Sequence, residues 1–268
     1  MKPKFAVLMA ICASSLGTAL PAHATAISTG ETLIDWSRVM ITSSSGTVLP
    51  GDVRAQYGDA YSVNNVLPAN PSQYSFQSDW LDLPFISNPI MNTNSTAGVA
   101  NGILTSTASA RADGVNTTES IAKGSIGREG TFTVASTGTA AVPVTISLEY
   151  SYFVNLMRDA VDEGASAATD IYLWVKEEQT KNEVGATEDR IFNFLDGSVL
   201  QDDFSGSNVP LSLQADLAPG TAYRFGVSAQ TGNYARAPQQ VSEPATLALL
   251  GLGLGGLGAA MRRKKQAA

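Results

Sequence analysis

The sequence predicts an all-β body, an antiparallel two-sheet β-sandwich, flanked by an N-terminal signal helix and a C-terminal transmembrane helix. Three observations predict it. Apolar residues alternate at a period of two over long runs. Gly, Pro, Asp and Asn divide those runs into strand-length pieces, with no long helical period. Both ends carry an apolar segment beside basic residues. The 268 residues are 44% hydrophobic and 15% charged, enough apolar material for a real core. Their net charge of −7 argues against nucleic acid, whose phosphates require rows of Lys and Arg.

Residues 1–24 read as a secretory signal peptide. Lys2 and Lys4 supply the positive start, residues 5–20 the apolar run, and Ala22-His23-Ala24 the small-x-small pattern cut by signal peptidase. Ala24-Thr25-Ala26 offers a second site two residues on. Cleavage at either site removes Cys12 and His23, the only cysteine and the only histidine. The exported chain then has no thiol and no imidazole. Disulfides, Cys nucleophiles, Ser-His-Asp triads, His general bases and His/Cys zinc sites are all excluded. Carboxylates, hydroxyls, Lys/Arg and oxygen-ligated metals are what remains, and the expectation is a non-enzymatic protein without a resident cofactor.

The exported sandwich domain is placed at 25–237. Losing both ends removes six basic residues but only Glu243 among the acids, so this body is more acidic than the whole chain. Its clearest strand covers 142–154, where Val142, Val144, Ile146, Leu148, Tyr150, Tyr152 and Val154 share one face. In 170–176, Ile171, Leu173 and Val175 point inward, with Tyr172 and Trp174 opposite. Leu211, Leu213 and Ala215 form a third inward row, and Tyr223, Phe225, Val227 and Ala229 a fourth. Phe132 and Val134 are read as the beginning of an earlier strand, followed by a turn at 136–139. Residues 27–100 carry five prolines and are read as short strands and loops completing the same sandwich, with 92–98 the fallback domain boundary.

At the other end, a linker at 238–242 leads to a terminal signal at 243–268. Glu243-Pro244 is followed by 17 uncharged residues, 245–261, and then by Arg262-Arg263-Lys264-Lys265. As a helix the uncharged stretch is roughly 25 Å long, near the lower limit for a bilayer. The basic tail at 262–265 stays cytoplasmic, leaving the body outside.

This ordered trio resembles the PEP-CTERM sorting signal of Gram-negative, exopolysaccharide-producing bacteria. Glu243 and Pro244 match the motif's central pair, and Ala245-Thr246 its usual sequel. Ser242 departs from it, because the family most often has Pro there. The resemblance implies a membrane exosortase as partner and transient anchoring in the inner membrane. Removal of the tail and delivery to the cell surface or the extracellular space would follow. The body is also similar to the β-sandwich of many PEP-CTERM proteins, and 217–227 looks like the Pro-Gly corner and Tyr strand of fibronectin type III domains. The sandwich is therefore expected to be jelly-roll or fibronectin-like.

Two constellations are candidates for ligand chemistry. Asp202 and Asp203, with Ser205, Ser207 and Asn208, gather hard oxygen donors of the kind Ca²⁺ takes, although the spacing is not an EF-hand and a solvated hairpin turn is the simpler reading. Asp159, Asp162 and Glu163 form a similar group. Tyr172 and Trp174 make an aromatic platform for sugar rings if their face is open, and core if it is covered. Asp79 and Asp82 around Trp80 resemble a glycosidase pair only if a loop brings them together. The glycine pattern at 253–258 fits a dinucleotide fingerprint, but it lies in the apolar tail without the required strand and helix. The leading expectation is an exported surface or matrix protein. The alternative is an exopolysaccharide-binding module, with Ca²⁺ as its only candidate ion.

Overall fold

The computed structural model describes residues 25–64, 73–77, 85–90 and 92–239. The signal helix with Ala22 and Ala24, the Asp79/Trp80/Asp82 group and the whole sorting segment lie outside the described residues. So do its motif residues Ser242, Glu243, Pro244, Arg262, Arg263, Lys264 and Lys265, and the transmembrane stretch 245–261. Among the described residues no helix is long and apolar enough to cross a membrane.

The body folds as a unit spanning Ala24–Pro238. Its strands are β1 (Ala26–Asp35), β2 (Met40–Ser43), β3 (Thr47–Asn64), β4 (Gln73–Gln77), β5 (Ile86–Ser87), β6 (Thr93–Ala100), β7 (Ile103–Ala112), β8 (Glu119–Ala135), β9 (Val142–Arg158), β10 (Gly164–Glu177), β11 (Glu183–Phe194), β12 (Gln201–Leu217) and β13 (Ala222–Arg236). One sheet runs β12-β9-β1-β7-β6-β5, with β2 added along β9; the other runs β11-β10-β13-β8-β3-β4. Among the described residues every neighbouring pair of strands is antiparallel, as between β1 and β7 or β10 and β13.

The eight strands β1 and β7 to β13 make two facing sets, β7-β1-β9-β12 and β8-β13-β10-β11. The chain crosses between sheets after β7, β8, β9, β11 and β12, which is a jelly-roll path. One substitution in that path matters: β1, from the N-terminus, fills the central place between β7 and β9.

Alternation explains the main strands. On β9 the seven predicted residues share the inner face; six are buried and Tyr152 is half-buried. Ile171, Leu173 and Val175 are buried on β10, as are Tyr223, Phe225, Val227 and Ala229 on β13. Two expectations need correction. Phe132 and Val134 lie near the end of a 17-residue β8, not at the beginning of a strand. Residues 27–100 contain the central β1 and an 18-residue β3 as well as short pieces. The inward residues of β1 include Ala26, Ser28, Gly30 and Thr32, too small and polar to signal a strand by hydropathy. Pro50 falls where the register of β3 against β8 shifts, so it costs no regular ladder bond.

The inter-sheet space has two zones. One is apolar, built on Ile34, Leu104, Ile126, Phe132, Tyr150 and Leu173. The other is narrow. Ala26, Ala108, Ala110, Ala112, Ala122 and Ala235 pack together. Beside them, Ser28 Oγ donates to Asn233 Oδ1 at 2.7 Å, the hydroxyls of Thr32 and Thr231 lie 2.7 Å apart, and Asn233 Nδ2 donates to the Ala108 carbonyl at 2.7 Å. The sheets approach so closely that a Cβ at Gly124 would lie 2.5 Å from the Thr96 carbonyl and 2.6 Å from that of Thr107.

Connectivity distinguishes the two ends of the sandwich. Ala26 opens β1 opposite Ala112 and Arg158, and Arg236 closes β13 opposite Glu119 and Gly164. Both chain ends therefore leave from the end formed by loops 113–118, 159–163 and 195–200. Turns 101–102, 136–141, 178–182 and 218–221 form the other end.

The 218–221 turn joins the two sheets, and Tyr223 fixes it: its Oη accepts from the Ala218 N–H at 2.8 Å. This is a tyrosine corner of the kind the sequence resembles, set on a jelly-roll path and not in a fibronectin strand order. Tyr223→Phe is expected to cost about 1 kcal/mol in urea unfolding. An unchanged midpoint would show that water replaces the bond without loss.

Candidate functional site

Tyr172 and Trp174 lie on the outer face of their sheet. Trp174 is nonetheless only 8% exposed. Its indole lies over Gly226 of β13, where any Cβ would collide with it, and Lys176 Nζ sits 4.6 Å from the ring centroid. Burial here comes from neighbours on the same face, an arrangement that the open-or-covered alternatives of the sequence reading do not include. Tyr172 donates to Glu183 Oε2 at 3.1 Å. The pair does not present two free ring faces side by side.

Asp202 and Asp203 occupy the edge strand β12 and not a hairpin turn. Successive strand residues point to opposite faces, so their carboxylates diverge. Asp203 accepts from Asn155 Nδ2, and Asp202 Oδ1 accepts from the Asp203 N–H at 2.9 Å. Glu163 turns its carboxylate onto its own loop, accepting from the N–H groups of Asp159 at 2.7 Å and Ala160 at 3.2 Å. Among the described residues no three carboxylate, His or Cys groups converge as a metal would need.

A cleft of about 590 Å³ opens elsewhere, beside the one-turn 3₁₀ segment Trp36–Arg38 that separates β1 from β2. Asp35 caps that turn by accepting from the Ser37 N–H at 3.0 Å. The interruption directs Trp36 inward, where it stacks on Phe225 with centroids 5.4 Å apart and planes 11° from parallel. The buried Arg128 guanidinium lies 5.3 Å from the Trp36 centroid. Gly130, Thr131 and the shifted Pro50–Val53 stretch of β3 complete the walls. At 7% exposure Trp36 is a wall of the cleft and not a stacking platform. The volume is that of a small-molecule or single-sugar site.

Sequence reasoning missed three polar residues, of which two were legible. Arg158 continues the inward parity of Val154 and Leu156, and Arg128 that of Ile126 and Gly130, so each is a charge placed on a core face. Arg158 is buried, and its guanidinium donates to four carbonyls: Val161 (3.2 Å), Glu163 (2.9 Å), Gly197 (2.6 Å) and Val199 (2.8 Å).

Asp113 orders the adjoining loop. Its Oδ1 accepts from the N–H groups of Val115, Asn116 and Thr117 at 3.1, 2.8 and 2.9 Å. Burial pushes the carboxyl up, but the Thr117 bond and those of Asn116 and Val115 outweigh it and bring it from 3.8 to about 2. The folded state binds this proton more weakly than the unfolded chain does. The stabilisation is therefore complete above about pH 4 and is lost as pH falls through about 2. Solvent screening leaves about 1 kcal/mol of it. The stability gap between wild type and Asp113→Ser should narrow between about pH 5 and pH 2. A gap independent of pH would remove the carboxylate's charge from the account.

A β-sandwich with both chain ends at one side suits a body carried on a terminal address. The chain carries that address: residues 240–264 match the family model of the PEP-CTERM protein-sorting motif. Such a motif marks a protein for export and for membrane-associated processing by an exosortase. No curated protein matches the chain. Among solved structures it is similar to pT26-6p over 85% of this chain and 68% of that one. At 9% identity and a TM-score of 0.18, that likeness carries no argument.

Proposed function

We propose that this chain is an exported, non-enzymatic cell-surface or extracellular-matrix protein. An exosortase processes its tail after transient anchoring in the inner membrane through 245–261. The carrying observation is the sorting motif at 240–264, which begins four residues after β13 ends. An epitope inserted in the 136–141 turn survives removal of either terminus and allows the test. Surface or medium localisation, with a shortened C-terminus that depends on the host's exosortase, is the expected result. A copy retained full-length in the cytoplasm would overturn the proposal.

The cleft beside Trp36 favours a second reading, an exopolysaccharide-binding module. Its Ca²⁺ dependence, if any, would rest on Asp202 and Asp203. Binding of the purified chain to the host polysaccharide, with Ca²⁺ and with chelator, separates the cases. Loss on chelation points to those two carboxylates. Chelator-resistant binding points to the cleft or to Tyr172 beside the covered Trp174. Absence of binding in both conditions eliminates the module.

A further inference from the structure

The two ends of the sandwich differ in chemistry as well as in connectivity. At the end where the chain enters and leaves, all three loops expose large apolar residues: Val115, Val161, and the pair Val199-Leu200, each between 45% and 61% exposed. Phe192 and Phe194, exposed at the close of β11, extend this surface, their rings 5.9 Å apart. At the opposite end, turns 101–102, 136–141, 178–182 and 218–221 themselves expose no large hydrophobic residue, and the exposed Ile103 and Val184 beside them stand at strand starts and not on turn tips.

The apolar tips are held in place from within. Asp113 binds the N–H groups around Val115, and Glu163 binds those at the start of the 159–163 loop. Arg158 donates to the carbonyls of both Val161 and Val199, so one guanidinium ties the two valine loops together. Carboxylates that close these loops from inside leave the valines as tips. A rigid apolar tip loses little conformational entropy when it is covered.

We propose that this end of the body is a docking surface for a lipid bilayer, engaged while the chain is anchored by its tail. The proposal rests on the reading of 243–268 as a membrane-anchored signal. The length of chain beyond the body argues for it. The seven residues 238–244 between the body and the apolar stretch reach at most about 25 Å when fully extended. The end from which they leave is thus confined near the membrane, and that is the end bearing the apolar tips. Asp159, Asp162 and Asp196 stand exposed among them, so the fitting surface is zwitterionic and not anionic.

The exported span has no cysteine, so single thiols report cleanly. Full-length chain with Cys12→Ser, carrying Val161→Cys, Val199→Cys or Thr139→Cys, is labelled with an environment-sensitive dye and reconstituted into phosphatidylcholine vesicles. Brominated lipid should quench the labels at 161 and 199 several-fold more than that at 139, and anionic lipid should reduce the difference. Equal quenching at all three positions in chain that floats with the vesicles would overturn the docking surface alone. Chain that fails to float would overturn the anchored tail and the proposal with it. Blue-shifted labels in detergent, with a doubled mass, would assign the surface to a second copy instead and equally overturn it. Matching circular dichroism spectra confirm that the labelled chains are folded.

Discussion

Replacing Arg158 with Met is expected to lower the unfolding free energy by roughly 3 kcal/mol. The side chain is buried, with four donor contacts ending on main-chain carbonyls of two loops. Met fills most of the volume but donates nothing, leaving those carbonyls to find water or to move. The acceptors do not titrate, so the loss should be nearly the same at about pH 7 and about pH 3, unlike that at Asp113. Amide hydrogen exchange should rise first in 159–163 and 195–200. Urea unfolding with an unchanged midpoint, or exchange that rises uniformly, would show that the loops are held by something other than this guanidinium. Arg158→Lys should recover only part of the loss, because one ammonium cannot reach four separated carbonyls.

Gly124→Ala is the second large effect, at roughly 2–3 kcal/mol. The added methyl would meet the carbonyls of Thr96 and Thr107, which are backbone and cannot rotate aside. The sheets must separate locally, and the buried bonds among Ser28, Thr32, Thr231 and Asn233 would lengthen with them. A Tm equal to that of wild type would mean that the two sheets slide apart at little cost. The narrow zone would then be loosely packed, against its hydrogen bonding.

Large side chains explain why some of this was legible. Val142 to Val154 and Ile171 to Val175 repeat at a period that only a strand satisfies, and they lie where that period places them. β1 escaped because Ser28, Gly30 and Thr32 bury their faces through close sheet approach and hydrogen bonds, not through apolar bulk. The corner at Tyr223 was readable because local turn chemistry dictates it. The cleft was not. It needs a 3₁₀ interruption at Trp36–Arg38, a shifted register near Pro50 and an aromatic from β13, three events distant in sequence. Asp202 and Asp203 misled for a similar reason. Donor-rich composition looks like a turn, but pairing with β9 draws both residues into a strand.

The position of β1 has a consequence for delivery. Ala26 opens it, yet the partners of that residue, Ala112 and Arg158, come roughly 85 and 130 residues later. Its sheet cannot close until β9 has emerged, and the facing sheet must wait for β13. Pairing over such separations is slow to nucleate. On the proposed export route, N-terminus first, β1 therefore stays unpaired until β7 has followed it across. Once β7 and β9 arrive, they enclose the strand that led the way, and Ala26 comes to rest between Ala112 and Arg158, inside a sheet and not at its edge.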